Sequence, residues 1–123
     1  MQQLFLFGLV FFGGGVGSIC RYGLNLMIQP WQPRFPWATL FANALACFIL
    51  GLILGWQQQG ILSDQRRLLL ATGFCGGFST FSTFSNETIQ LVMHNRLADA
   101  FINLIVSVVL CFGATLLGMW LGK

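Results

Sequence analysis

The sequence predicts an all-α membrane protein with four transmembrane helices, the third broken at Gly76-Gly77, and three observations carry that prediction. Charge is scarce: 7% of the 123 residues are Asp, Glu, Lys or Arg, against about 25% in a soluble domain. The nine charged side chains leave residues 1–20, 35–63, 68–86 and 100–122 free of charge, and a membrane-spanning helix needs about 20 mostly apolar residues. The third of these stretches holds two adjacent glycines and then eight residues drawn only from Phe, Ser and Thr. A solvated surface cannot be built from nine charges, which excludes a soluble enzyme and a disordered chain. The six Lys and Arg residues are scattered, with no run longer than Arg66-Arg67. That excludes nucleic acid as a partner and leaves the lipid bilayer. Four thin spans leave room for one membrane domain over residues 1–123.

The first span is expected at residues 4–28. Met1-Gln2-Gln3 has no basic run of the kind that opens a secretory signal, so this stretch is read as a retained helix. Its glycines, Gly13-Gly14-Gly15, Gly17 and Gly23, permit the close backbone approach that holds helices together in lipid. Arg21 sits in or near the end of this span. A charge there either snorkels to the interface or serves a function. Residues 29–36, with Pro30, Trp31, Pro33 and Arg34, read as a loop, and Trp31 and Trp37 as part of an interfacial aromatic belt.

The second span is expected at residues 37–56, with Asn43 as its strongly polar member. An amide at that depth must find partners, either another helix or a wet cavity. Residues 57–67 form the next loop. The third segment covers residues 68–93, followed by a hairpin turn at His94-Asn95-Arg96. The fourth span covers residues 100–121 and carries Asn103, Ser107 and Thr115. Each apolar segment holds one cysteine: Cys20, Cys47, Cys75 and Cys111. With no CxxC and no Cys/His pairing, they read as buried thiols packed as small hydrophobes.

Four crossings put both termini on one side together with Arg66, Arg67 and Lys123. Arg34, Arg96 and Arg21 fall on the other. Orientation follows the Lys/Arg asymmetry between loops, and three against three is no asymmetry. A chain that inserts both ways can pair with its own inverted copy, the symmetry that transporters otherwise obtain from inverted repeats.

Irregular backbone survives inside a bilayer only where protein buries it or water lines it. Gly76-Gly77 is the expected break point, with a restart capped by Ser79 or Thr80. A broken helix offers free carbonyls to a cation and free N–H groups to an anion; a plain kink without a ligand is the simpler possibility. Beyond the break, Phe78, Phe81 and Phe84 recur every third residue beside Ser79, Ser82 and Ser85 and Thr80 and Thr83. Residues three apart on a helix share a face. Ring edges are positive and hydroxyls donate hydrogen bonds, so the two stripes could replace part of a small anion's hydration shell; packed rings with back-bonded hydroxyls explain the spacing equally. Glu87, further along, is placed to pair with Arg21 or to cap a charged vestibule.

The string Gly76-Gly77-Phe78-Ser79-Thr80-Phe81-Ser82-Thr83-Phe84-Ser85-Asn86-Glu87 resembles the signature of the small fluoride channels called CrcB or Fluc. The glycine-rich first helix leading to Arg21 and the run Thr39-Leu40-Phe41-Ala42-Asn43 match as well, and the likeness extends over the whole chain. The resemblance implies a multi-pass protein of the cell (inner) membrane, a channel and not an enzyme. It implies an antiparallel dual-topology homodimer with two pores, through which accumulated fluoride leaves passively. It further implies a fluoride path past Asn43, Phe81, Ser82, Thr83, Phe84 and Ser107. As cofactor it implies a structural sodium ion at the dimer centre, held by backbone carbonyls at Gly76 and Ser79. Ser79 stands where threonine is more usual, and Asn103 falls at a pore-side position that varies in the family. Two rivals fit a short four-helix chain: a small multidrug exporter, which needs a membrane-embedded carboxylate that only Glu87 could supply, and a small membrane assembly without a specific substrate.

Overall fold

A computed structural model describes residues 1–31 and 34–123. Gln32 and Pro33 of the expected first loop lie outside the described residues, as does the side chain of Trp31 from the expected aromatic belt. The described chain is helical, with no strand among those residues. Helix α1 covers Gln2–Ile28 and a 3-10 turn follows at Gln29–Trp31; α2 covers Trp37–Gln58. The third segment is assembled from pieces: α3 at Asp64–Arg67, a π-helical stretch at Leu68–Cys75, α4 at Gly76–Phe78 and, after a gap, α5 at Phe81–Met93. The last helix, α6, covers Leu97–Leu121. Three of these helices, α1, α2 and α6, are long and apolar enough to cross a membrane. Even the shortest of the three, α2 with 22 residues, extends about 33 Å, slightly more than a hydrocarbon core of about 30 Å.

The surface is the reverse of a soluble protein's. On α1, Phe5, Phe7, Phe11 and Phe12 are exposed, and on α6 so are Phe101, Ile105, Val109 and Leu116. The buried line of α6 is Ala100, Asn103, Ser107 and Gly118; that of α2 includes Ala38, Thr39, Ala42, Ala46, Gly51 and Gly55. Lipid tails are as apolar as leucine, so helices gain by close approach and interhelical hydrogen bonds rather than by burying large side chains. The α2–α6 contact follows that rule: a Cβ at Gly51 would lie 3.0 Å from the Gly118 Cα. On the other side of the bundle α1 packs against the π-helical stretch and α4, where a Cβ at Gly73 would lie 3.0 Å from the Gly13 Cα.

The helix break is displaced from the expected Gly76-Gly77. Gly76 has helical dihedrals (φ −63°, ψ −38°), and the chain opens at Ser79 (φ −79°, ψ 158°) and Thr80 (φ −153°, ψ 120°). The reason is packing. Gly77 presses its backbone on Gly14, whose carbonyl would collide with any added Cβ, so this glycine serves close approach and not unwinding. Phe78 is separated from the expected Phe stripe for the same reason. It lies upstream of the break, stacks on Phe74 with centroids 5.5 Å apart, and is buried against Ala42 and Ala46. The hairpin at 94–96 forms as expected, with Asn95 in the left-handed region (φ 60°), which asparagine tolerates. Cys20 is exposed and Cys75 buried, with Cys47 and Cys111 between. The expectation of four buried thiols therefore fails at Cys20.

Candidate functional site

The break is held open by polar groups from its own chain and from α2. Thr80 caps α5: its Oγ1 accepts from the Thr83 N–H at 3.2 Å and donates to Thr83 Oγ1 at 3.1 Å, with Ser82 Oγ 3.3 Å away. The Asn43 carboxamide clamps the Thr80 peptide from both ends. The Thr80 N–H donates to Asn43 Oδ1 at 2.7 Å, and Asn43 Nδ2 donates to the Thr80 carbonyl at 3.1 Å. Asn43 thus meets its hydrogen-bonding need largely on main chain; one of the two Nδ2 protons makes this contact and the second points elsewhere.

These bonds determine which carbonyls leave the helical ladder. In an unbroken helix the N–H of residue i bonds the carbonyl of residue i−4. The Thr80 N–H would close on Gly76 and the Thr83 N–H on Ser79; Asn43 takes the first and the Thr80 hydroxyl takes the second. The Ser79 N–H and hydroxyl both still donate to the Cys75 carbonyl, at 2.9 and 2.8 Å. The Gly77 carbonyl receives the Ser18 hydroxyl at 3.5 Å.

Two cavities meet at Thr80. One, of about 270 Å³, is walled by Asn43, Ser79, Phe81, Phe84, Ser107 and neighbouring apolar side chains of α6. Phe81 and Phe84 lie 5.7 Å apart with planes tilted 45°, and Phe81 is 78% exposed. The other cavity, of about 330 Å³, is polar and lined by Ser18, Arg21, Tyr22, Thr39, Thr83 and Glu87 among others. Thr80 belongs to both walls.

The structure therefore gathers Asn43, Phe81, Phe84, Ser107 and Ser79 about one space and Thr83, Arg21 and Glu87 about the next. Ser82 is exposed and meets the group only through Thr80. Arg21 and Glu87 share a cavity without the ion pair offered as one possibility: the Glu87 carboxylate accepts from the Thr39 hydroxyl. The Arg21 Nε is buried with no hydrogen-bond partner among the described residues. Asn103 is not in either wall. It is 1% exposed and ties α6 to α5: its Nδ2 donates to Thr88 Oγ1 at 3.0 Å, Thr88 donates to the Phe84 carbonyl at 2.7 Å, and Ser107 donates to Asn103 Oδ1 at 3.4 Å. Ser18, Tyr22, Thr39 and Thr88 were not among the site residues read from the sequence. Thr39 was within reach, because it precedes Asn43 by four residues and so shares its face of α2.

Buried small and polar side chains inside an apolar shell, around a helix interrupted between two cavities, define a multi-pass membrane protein. The model of one family, described as CrcB-like protein, Camphor Resistance (CrcB), matches residues 8–119. The chain belongs to that family. It is 40% identical to a protein of Flavobacterium psychrophilum named fluoride-specific ion channel FluC, over 100% of this chain and 98% of the relative. Relatives of the same name from Phocaeicola vulgatus and an Enterobacter species are each 40% identical, covering 94% and 98% of this chain and 96% and 94% of their own lengths.

Proposed function

We propose that this chain is the subunit of a fluoride-selective channel that lets fluoride leave the cell passively, working as an antiparallel dual-topology homodimer in the cell membrane. In this reading residues 4–28, 37–56, 68–93 and 100–121 form one membrane unit. The observation that carries it is the interruption at Ser79–Thr80, set between the two cavities and lined by hydroxyls and the rings of Phe81 and Phe84. The full-length likeness to fluoride-specific channels supports the choice of ion. The exposure of Phe81 at the mouth of its cavity supports a path completed by a second copy.

Arg21, beside Glu87 in the polar cavity, supplies positive charge where the ion enters. The Thr83 hydroxyl, oriented by the proton it receives from Thr80, offers its own proton as water is lost, with Ser82 exposed beside it. Phe81 and Phe84 then present ring edges, which attract an anion without the depth of a fixed charge. The second Asn43 N–H serves the far side, where Ser107 lines the wall and turns its proton to Asn103. Lys and Arg are lacking in this second wall, in keeping with the need to bind strongly enough to admit an ion and weakly enough to release it.

The family implies a structural sodium ion, and the residues fit one. Gly76 and Ser79 are among the carbonyls freed by the break, their helical N–H donors taken by Asn43 and the Thr80 hydroxyl, Gly76 is exposed, and carbonyl oxygens replace the hydration of an alkali cation. Those two groups would hold it, and its charge would offset that of a passing anion. The exporter reading gains nothing from Glu87, whose carboxylate is engaged by Thr39.

Liposomes with a potassium gradient and valinomycin test the proposal. Rapid fluoride efflux with negligible chloride efflux is expected, and Phe81→Ile or Phe84→Ile should cut throughput while dimers still assemble. Equal leakage of both anions, or full flux in both variants, rejects it; drug-dependent proton flux without anion leakage would instead favour the exporter.

A further inference from the structure

Two cysteines, Cys47 of α2 and Cys111 of α6, stand in the wall of the same 270 Å³ cavity as Asn43, Phe84 and Ser107. Both are half-buried, and each lies one turn before a contact of the helix pair, Cys47 four residues before Gly51 and Cys111 four before Thr115, whose carbonyl a Cβ at Gly51 would strike. They are brought together by the glycine-mediated approach of α2 and α6, which holds two backbones too close for any larger arrangement at Gly51 and Gly118. The sequence showed four isolated thiols; the fold makes a pair that faces open space.

From this pairing we infer that Cys47 and Cys111 form a two-coordinate site for a soft divalent cation, mercuric ion, in the side of the cavity. Among the described residues no group of three or more His, Cys, Asp and Glu is placed to hold a metal, which rules against zinc and its tetrahedral demand. Soft thiolates suit soft ions, and mercuric ion is satisfied by two sulfurs in line. Charge completes the argument. The cavity is mainly apolar, and an uncompensated charge there is costly. Two thiolates cancel the two charges of mercuric ion and leave a neutral dithiolate, whereas a monovalent silver or copper ion would leave a net negative one. The step is ligand exchange without oxidation: mercuric chloride loses two Hg–Cl bonds, two S–H bonds break, two Hg–S bonds form, and two chlorides and two protons leave.

The binding test does not depend on the channel reading. The purified wild-type protein is given one equivalent of mercuric chloride per chain, and remaining thiols are then alkylated and mapped by peptide mass spectrometry. Joint protection of Cys47 and Cys111, with Cys20 alkylated, is expected, and in Cys111→Ala the protection of Cys47 should fall at least tenfold. Undiminished protection of Cys47 in that variant overturns the site, as does a bridge from Cys47 to the buried Cys75 in place of Cys111. Silver at the same ratio should protect the pair less well, and equal protection overturns the charge argument. The consequence for flux rests on the proposed fluoride path: mercuric chloride should suppress fluoride efflux of the wild type and spare Cys111→Ala. A protected pair with undiminished efflux leaves the site standing and removes this cavity from the path.

Discussion

Asn43 spends both ends of its carboxamide on a single peptide group, and that choice decides the shape of the third segment. Without it, the Thr80 N–H and carbonyl would face each other's absence in a low-dielectric interior, and the N–H would be drawn back to the Gly76 carbonyl. Asn43→Ala should therefore do two things. Loss of two interhelical bonds should destabilise the protein by about 1–2 kcal/mol, since such bonds in lipid contribute about 0.6 kcal/mol on average and up to about 1.7. Partial closure of the helix should also lower fluoride efflux by about tenfold, equivalent to about 1.4 kcal/mol on a barrier. Thermal unfolding in detergent and liposome efflux check the two effects separately, and wild-type efflux in a destabilised variant would reduce Asn43 to helix glue. The sequence offered both roles for this residue and could not choose. Its partner is 37 residues away, and which main-chain group it meets depends on how α2 lies across the break.

At the scale of elements, the legible and the illegible parts of the third segment are a few residues apart. Its polar density, the need for an interruption and a cap at Ser79 or Thr80 were readable from residues 78–85, because hydroxyls flanked by rings at membrane depth demand partners that a plain helix cannot give; the structure selects Thr80. The position of the gap was not. A Gly-Gly pair reads equally as a hinge or as a contact surface, and only the distant Gly14 decides between them. The π-helical stretch at Leu68–Cys75 also left no local mark, since its sequence is ordinary apolar helix. The two glycines now carry opposite expectations. Gly77→Ala drives a methyl group into the Gly14 backbone and should cost about 1–3 kcal/mol, as overpacking does, because backbone on both sides cannot yield as a side chain would. Gly76→Ala meets only the Ala71 carbonyl, at 4.0 Å, and should leave the thermal stability of the isolated protomer within about 0.5 kcal/mol of the wild type. Melting curves of both in detergent decide the matter. Equal costs would return the break to Gly76-Gly77.

For the molecule as a whole, the exposed apolar surface has two possible uses, lipid and a second copy, and the charges decide how that copy is turned. Arg66, Arg67 and Lys123 lie toward one end of the fold and Arg21, Arg34 and Arg96 toward the other, so neither orientation is favoured by the loop charges that normally fix it. A near-even balance is easy to tip, because each added cation near a membrane surface is worth about 1 kcal/mol. Two or three lysines introduced around Gln57, in the exposed polar loop after α2, should hold that loop in the cytoplasm; the same number beside Arg34 should hold the opposite end there. Each biased protein expressed alone then lacks an inverted partner. If Phe81 of one copy completes the cavity of the other, either variant alone should lose nearly all fluoride efflux, and co-expression of the pair should restore it. Cysteine labelling from the two sides of the membrane verifies that each bias took hold. Full efflux from a variant labelled in one orientation only would mean that the pore is assembled without an inverted copy, by a parallel pair or within one protomer, and the exposed ring of Phe81 would then face lipid.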